Sequence, residues 1–424
     1  MKNFAYLMPG QGSQYVGMGK SLCRKYSAAN AIFKEANEVL GFDLQALCFE
    51  GNPEELTKTE NTQPAILTVS VAMFKAFMEE YGIQPAYFAG HSLGEITALT
   101  CAGAIEFHDA VKIVRNRGIF MQEASPLGVG AMGAVSGVDT NTILKMCLEA
   151  CINGEIVEVA NYNSPDQIVI SGHKSAVERV SGKLTAKGAT VIPLKVSAPF
   201  HSSLMRPAAD RMREELGKYT FGPLSSEVVS GVTALPYGGA DDIVDYLSEG
   251  IIRPVQWIAT MNYLKSRGVS QAIEAGPGHV LKKLAKKCTS SMLVYSVDKA
   301  EDEALLNERI QASPSIEGKE NGKTSFLSRC LGIAVCTQNF CWDQQAYQEG
   351  VIEPYRKVQR LVEQLNEEGK EAETEQIIEG YQMLKSVFQT KGTPVKEQIS
   401  RFEQLFRETG VSSSVVDLLE LPTV

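Results

Sequence analysis

"PAYFAGHSLGEITAL", residues 85–99, joins a short apolar run to a helical pattern through a turn in which Ser92 stands between Gly90 and Gly94. "AYFAG" reads as a strand, and the helix starts at Leu93. G-x-S-x-G at a strand-to-helix turn is a nucleophile elbow: the glycines relieve crowding and the serine oxygen is held out beyond the sheet edge. The free N–H groups at the helix start favour negative charge beside Ser92. A glycine-rich turn with Ser92 as a plain helix N-cap fits the same letters.

Outward from this turn the alternation continues. "FAYLMPG" (4–10) reads as a buried strand and "AILTVSVAMFKAFMEEY" (65–81) as a long apolar helix opened by Pro64. Continuously apolar strands alternating with helices predict a parallel sheet covered on both faces. Between residues 127 and 197 the order becomes β-α-β-β-α-β, with two strands around an Asn-Ser-Pro-Asp turn in "EIVEVANYNSPDQIVISG" (155–172). That is the ferredoxin-like split unit, inserted as a small domain. The first domain resumes at "APFHSSLM" (198–205) and closes with "SQAIEAGPGHVLKKLAKK" and "SMLVYSVD". The expected organisation is therefore 1–126 plus 198–302, an insert at 127–197, a linker at 303–325 and a helical extension at 326–424. The linker is the polar run "SPSIEGKENGKTS". Beyond it Tyr355, Val358, Leu361, Val362 and Leu365 fall at helical spacing. So do Ile377, Ile378, Tyr381, Leu384 and Phe388, and Ile399, Phe402, Leu405 and Phe406, giving three amphipathic helices.

Composition narrows the class. The 424 residues are 44% hydrophobic and 21% charged, enough for a sizeable core. A net charge of −9 argues against nucleic-acid binding, although "KKLAKK" (282–287) is a local basic run on a helix face. Nine cysteines occur without a CxxC pair, and no histidine accompanies Cys330, Cys336 and Cys341. They read as thiols of a reducing compartment rather than zinc ligands. There is no signal-peptide pattern and no apolar run near ~20 residues, so a cytoplasmic protein without metal or membrane span is expected.

A serine hydroxyl needs a base. Five histidines are available. His91 points away from its neighbour if the elbow is real, and His108 and His173 sit at helix starts among polar residues. His201, in "SAPFHSSLM", and His279, in "EAGPGHVL", remain, with spacing favouring His201 only modestly.

Eight stretches bring a resemblance into view: "MPGQGSQYVGMG" (8–19), "TQPAI" (62–66), "GHSLGE" (90–95), "RNRGIFMQ" (115–122), "NYNSPDQIVISG" (161–172), "APFHSSLM" (198–205), "RPVQW" (253–257) and "EAGPGHVL" (274–281). In this order they resemble the malonyl-CoA:acyl carrier protein transacylase family over residues 1 to about 300. The resemblance implies an α/β fold, with a hydrolase-like large subdomain on a parallel sheet and an inserted ferredoxin-like small subdomain. It implies that Ser92 carries the acyl group and that His201 is base, then acid. It makes Gln256 the backbone carbonyl that orients His201, and the N–H groups of Gln11 and Leu93 the oxyanion hole. It places Arg117, Gln63, Met121 and Phe200 in the substrate pocket. A guanidinium offers a planar fork that suits a malonyl carboxylate. Phe200, by its volume, would favour malonyl over methylmalonyl, a discrimination of ~1–3 kcal/mol for one methyl.

The expected activity is malonyl transfer from malonyl-CoA to the phosphopantetheine thiol of an acyl carrier protein, for fatty-acid or polyketide synthesis. No cofactor is implied, since malonyl-CoA is substrate and the pantetheine belongs to the carrier. The extension resembles the helical segment after free-standing acyltransferases of trans-acyltransferase assembly lines, where it packs on the enzyme, docks a carrier or joins a further domain. The final "SSSVVDLLELPTV" (412–424) lacks a helix stop, as at a cut boundary. Three other readings stand beside this one. An acyl hydrolase of the same fold would clear carrier proteins, and retained Arg117 speaks against it. An esterase would pair Ser92 with His279 and Asp242. A non-catalytic scaffold fits only the tail.

Overall fold

A computed structural model describes residues 3–126, 128–194, 196, 198–311, 323–337, 339–341, 343–409 and 411. The strands, in chain order, are β1 (Phe4–Met8), β2 (Tyr87–Gly90), β3 (Gly130–Ser136), β4 (Val157–Ser164), β5 (Gln167–His173), β6 (Thr190–Pro193), β7 (Glu227–Val229), β8 (Gln271–Glu274) and β9 (Leu293–Ser296). Two sheets result: a parallel one in the order β7-β2-β1-β8-β9 and an antiparallel one in the order β4-β5-β3-β6. β1 and β2 are buried throughout, as continuous apolar runs between helix layers require.

Register decides where the loops emerge. Met8 pairs with Gly90 at the carboxyl ends of β1 and β2. Gln11 and Leu93, each three residues further on, therefore leave the sheet at the same edge, where open parallel sheets place their sites. The small sheet is stitched beside that edge: Tyr162 N–H donates to the Val255 carbonyl and Val255 N–H to that of Ala160, both at 2.9 Å. Its own core gathers Val135, Ile143, Val157, Ile170, Val180 and Leu184.

The chain divides into two compact units. The larger, Lys2–Met73 with Pro85–Glu303, contains both sheets. The other combines Phe74–Gln84 with residues from Ala304 onward. Its core is helical and includes Phe326, Leu327, Val358, Ile377, Leu384, Phe388, Phe402 and Leu405. The three amphipathic stripes lie on the helices Glu353–Glu368, Thr374–Thr390 and Val395–Thr409.

Three local expectations are revised. The helix opened by Pro64 begins earlier, spanning Thr59–Tyr81. Proline removes an N–H that would have bonded Glu60, and the Glu60 carbonyl instead accepts from Arg115 at 2.7 Å. The linker expected from 303 starts later, because Ala300–Gln311 is helical and buries Leu306 and Ile310 one turn apart. At its other end Lys323–Ser325 already belong to the helix Lys323–Cys336. The core of the polar linker (312–322) and the segment 412–424 lie outside the described residues. None of the nine cysteines, all among the described residues, is in a disulfide, and Cys330 is buried in the helical core. None of the described helices is long and apolar enough to cross a membrane.

Candidate active site

The turn after β2 is built around absent side chains. A Cβ on Gly90 would lie 2.0 Å from the Gly94 carbonyl carbon, and one on Gly94 would lie 2.0 Å from the Met8 oxygen. Only this closeness lets the chain reverse into the helix Leu93–Cys101. Ser92 pivots the turn at φ 52°, ψ −108°, and makes no side-chain cap to the helix. The N-cap reading is thereby excluded: the hydroxyl faces elsewhere, in a backbone state costing of order 1–3 kcal/mol.

The hydroxyl faces His201. Ser92 Oγ lies 2.8 Å from His201 Nε2, across 109 residues of chain. His201 is itself at positive φ, 56°, and its N–H is held by the Ile251 carbonyl at 3.1 Å. Its Nδ1 lies 2.8 Å from the Gly250 carbonyl. A carbonyl only accepts, so Nδ1 carries the proton and Nε2 is left as the acceptor for the Ser92 hydroxyl. The expected orienting carbonyl, Gln256, is engaged elsewhere: it accepts from the N–H and the hydroxyl of Thr260 inside a helix. Position 250 takes the role because it ends the helix Asp241–Glu249, where carbonyls lack helical partners.

Arg117, on the helix Phe107–Glu123, reaches the same oxygen: its Nη2 donates to Ser92 Oγ at 3.1 Å and its Nη1 to Gln63 Oε1 at 2.9 Å. Gln63 Nε2 in turn points to Met121 Sδ at 3.7 Å. Ser92, His201, Arg117, Gln63 and Met121 thus form one hydrogen-bonded chain. Phe200 is buried and, being apolar, stands outside that chain while immediately preceding His201 in sequence. Among the described residues the N–H groups of Gln11 and Leu93 are not spent on other protein acceptors. The Gln11 side chain is tied back to Thr59 Oγ1 at 3.3 Å.

Burial sets the electrostatics. It pushes His201 down from 6.5 to about 3, with the Arg117 charge and then His91 adding to the fall. The imidazole is therefore neutral at neutral pH, with the Nε2 lone pair open to the Ser92 proton. Burial also lowers Arg117 to about 10, against the opposing pull of Glu95, so the guanidinium remains a cation.

The other histidines are elsewhere. His108 is half exposed beside Asp109, His173 accepts from Ile156 N–H, and His279 precedes the helix Val280–Cys288. Asp242 accepts from Gly238 N–H at 2.7 Å, so the Ser92–His279–Asp242 esterase arrangement is not formed.

Sequence reasoning passed over Glu95 and gave His91 no partner. Glu95 is fully buried; its Oε1 accepts from Gly231 N–H at 3.0 Å and from the Tyr237 hydroxyl at 2.7 Å. An acidic residue within the otherwise apolar "LGEITAL" was the available signal. His91 does turn from Ser92, and its Nε2 meets Asn163 Oδ1 of β4 at 2.8 Å, joining the elbow to the small sheet.

Comparison with known proteins places the chain in a family. The acyl transferase domain family matches residues 5–236. A malonyl CoA-acyl carrier protein transacylase of Bacillus subtilis is 38% identical over 94% of this chain and 99% of its own length. The enzyme of that name from Escherichia coli K12 is 46% identical, over 70% of this chain and 96% of its own. Among solved structures, a malonyl-transacylase in complex with a type II PKS acyl-carrier protein superposes with a TM-score of 0.70 at 41% identity, covering 72% of this chain and 99% of that one. The malonyl CoA-acyl carrier protein transacylase of Coxiella burnetii gives 0.71 at 38%, covering 73% and 98%. With more than half the chain matched by one domain family, and relatives of that name aligned along nearly their whole length, this chain belongs to the malonyl CoA-acyl carrier protein transacylase family.

Proposed function

We propose that the protein transfers a malonyl group from malonyl-CoA to the phosphopantetheine thiol of an acyl carrier protein, through an ester on Ser92. The observation that carries this reading is the placement of one hydroxyl between a neutral imidazole and a buried cation whose own partners, Gln63 and Ser92, are uncharged. Ser92 Oγ attacks the thioester carbon as its proton passes to His201 Nε2. The developing oxyanion is met by the N–H groups of Gln11 and Leu93, and the imidazolium returns its proton to the departing sulfur. The carrier thiol then repeats the sequence on the ester, with His201 again as base. Arg117 holds the malonyl carboxylate throughout. Phe200 restricts the α-carbon, favouring an unbranched acyl group.

Both the names of the relatives and the carrier-bound structure support an acyl carrier protein as partner, and a place in fatty-acid synthesis is part of this proposal. A role in polyketide assembly is the finer proposal. It draws on the resemblance of the helical extension to the segment after trans-acyltransferase enzymes, and on the similar malonyl-transacylase solved with a type II PKS acyl-carrier protein. The same-fold hydrolase gains nothing from a buried guanidinium and is not favoured. Intact mass after incubation with malonyl-CoA tests the core of the proposal. The wild-type chain is expected to gain one malonyl group and Ser92→Ala none; labelling of Ser92→Ala to the same extent would refute it.

A further inference from the structure

We propose that Arg117 restrains the nucleophile in the free enzyme, and that the carboxylate of the acyl donor releases it, so that the acidic end of the substrate switches on the serine it is about to acylate. The inference rests on the function proposed above and goes beyond a binding role for the guanidinium.

A serine oxygen has one proton and two lone pairs. The proton is directed at His201 Nε2, since Nδ1–H is committed to the Gly250 carbonyl. Attack on a thioester carbon requires a lone pair. Arg117 Nη2 donates toward this oxygen from 3.1 Å, drawing electron density from the atom that must attack. The other end of the guanidinium is pinned: Nη1 holds Gln63 Oε1 at 2.9 Å, and Gln63 is fully buried with its amide set by Met121 Sδ. Nη2 is thus the end free to exchange acceptors, and a carboxylate accepts more strongly than a hydroxyl.

A malonyl carboxylate entering the site takes Nη2 away from Oγ. It also cancels the positive charge that disfavours an imidazolium at His201. Both changes assist the same step. The Oγ–C bond forms as the C–S bond breaks, and the Oγ proton moves to Nε2 and then to the coenzyme A sulfur. An acetyl donor brings no carboxylate and leaves both restraints in place. Discrimination then appears in the rate of ester formation as well as in affinity.

Formate and acetyl-CoA together supply the two ends of a malonyl group as separate molecules, which allows a direct test on the full chain. Acetylation of Ser92 is followed by intact mass in sodium formate and in sodium chloride of equal ionic strength. Wild type is expected to acetylate faster in formate, on the order of tenfold, the scale of one hydrogen bond to a charged group. Arg117→Ala and Arg117→Met are expected to acetylate faster than wild type in chloride and to ignore formate; the second keeps the side-chain volume if the first disturbs folding. No acceleration by formate in wild type, or equal acceleration in the Arg117 variants, overturns the proposal. Malonyl-CoA loading of the same wild-type sample separates the two ideas. Loading without a formate effect removes the restraint and leaves the transferase; no loading removes the transferase.

Discussion

Gly250 holds His201 from behind with a carbonyl, where a hydrolase triad would use a carboxylate; the Nδ1–O separation is 2.8 Å. The carbonyl fixes the tautomer and favours the protonated ring, but burial, with the Arg117 charge added to it, outweighs that pull and takes His201 down to about 3. Protonation disables a base, so kcat/KM for malonyl-CoA is lost only as pH falls through that value. We expect the profile to stay level from about pH 5 to about pH 8. It should decline again as pH rises through about 10, where Arg117 loses its proton. A rapid-mixing profile with an acid limb centred near 6.5 would contradict this.

Arg117 and Gln63 divide one task. Replacing Arg117 by Ala removes the cation and is expected to lower malonyl loading about 10- to 100-fold, the worth of a hydrogen bond between charged groups. Gln63→Leu leaves the cation but frees Nη1, so the ratio of malonyl to acetyl loading should fall by a smaller factor. Parallel progress curves with the two donors measure both. A Gln63→Leu ratio equal to that of wild type would remove the pinning role.

The distance between sequence and structure has a physical pattern. Continuous apolar runs such as "FAYLM" and "YFAG" have one way to bury themselves, and both became central strands. Ser92 was legible because its glycines sit where a Cβ would strike backbone. The carbonyl behind His201 was not, since any residue supplies a carbonyl and only the helix end at 250 decides which one is unspent. The helix Ala300–Gln311 was hidden by composition: Leu306 and Ile310 bury an apolar edge within a charged run. Glu95 lies inside the motif "GHSLGE", yet its partners are 136 and 142 residues away, beyond any local pattern.

Glu95 carries a stability prediction. Its carboxylate is pushed up by burial, and the Tyr237 hydroxyl and Gly231 N–H oppose that push. Glu95→Ala strands both donors in the interior, at a cost of about 1–3 kcal/mol for each unsatisfied group. Glu95→Gln keeps an accepting oxygen and should lose much less. Urea unfolding of the two variants decides the matter, and equal losses would mean that the side chain's bulk, not its hydrogen bonds, is what the site needs.

His201 also links folding to acid. Its folded value near 3 lies below the ordinary 6.5, so between those limits the unfolded chain binds more protons than the folded one. Stability contributed by the neutral ring is complete above about 6.5 and drains away as pH falls toward 3. His91, buried and likewise lowered, adds a loss of the same sign that persists in a His201 variant. His201→Gln removes its own titration while leaving a side chain able to donate to Gly250. Its melting temperature should therefore drop less than that of wild type between about pH 7 and about pH 5, and the difference between the two proteins should vanish in slope above about pH 7. Parallel acid slopes in both would show that the ring is not held neutral, and with it would go the claim that a base stands ready beside Ser92 before any substrate arrives.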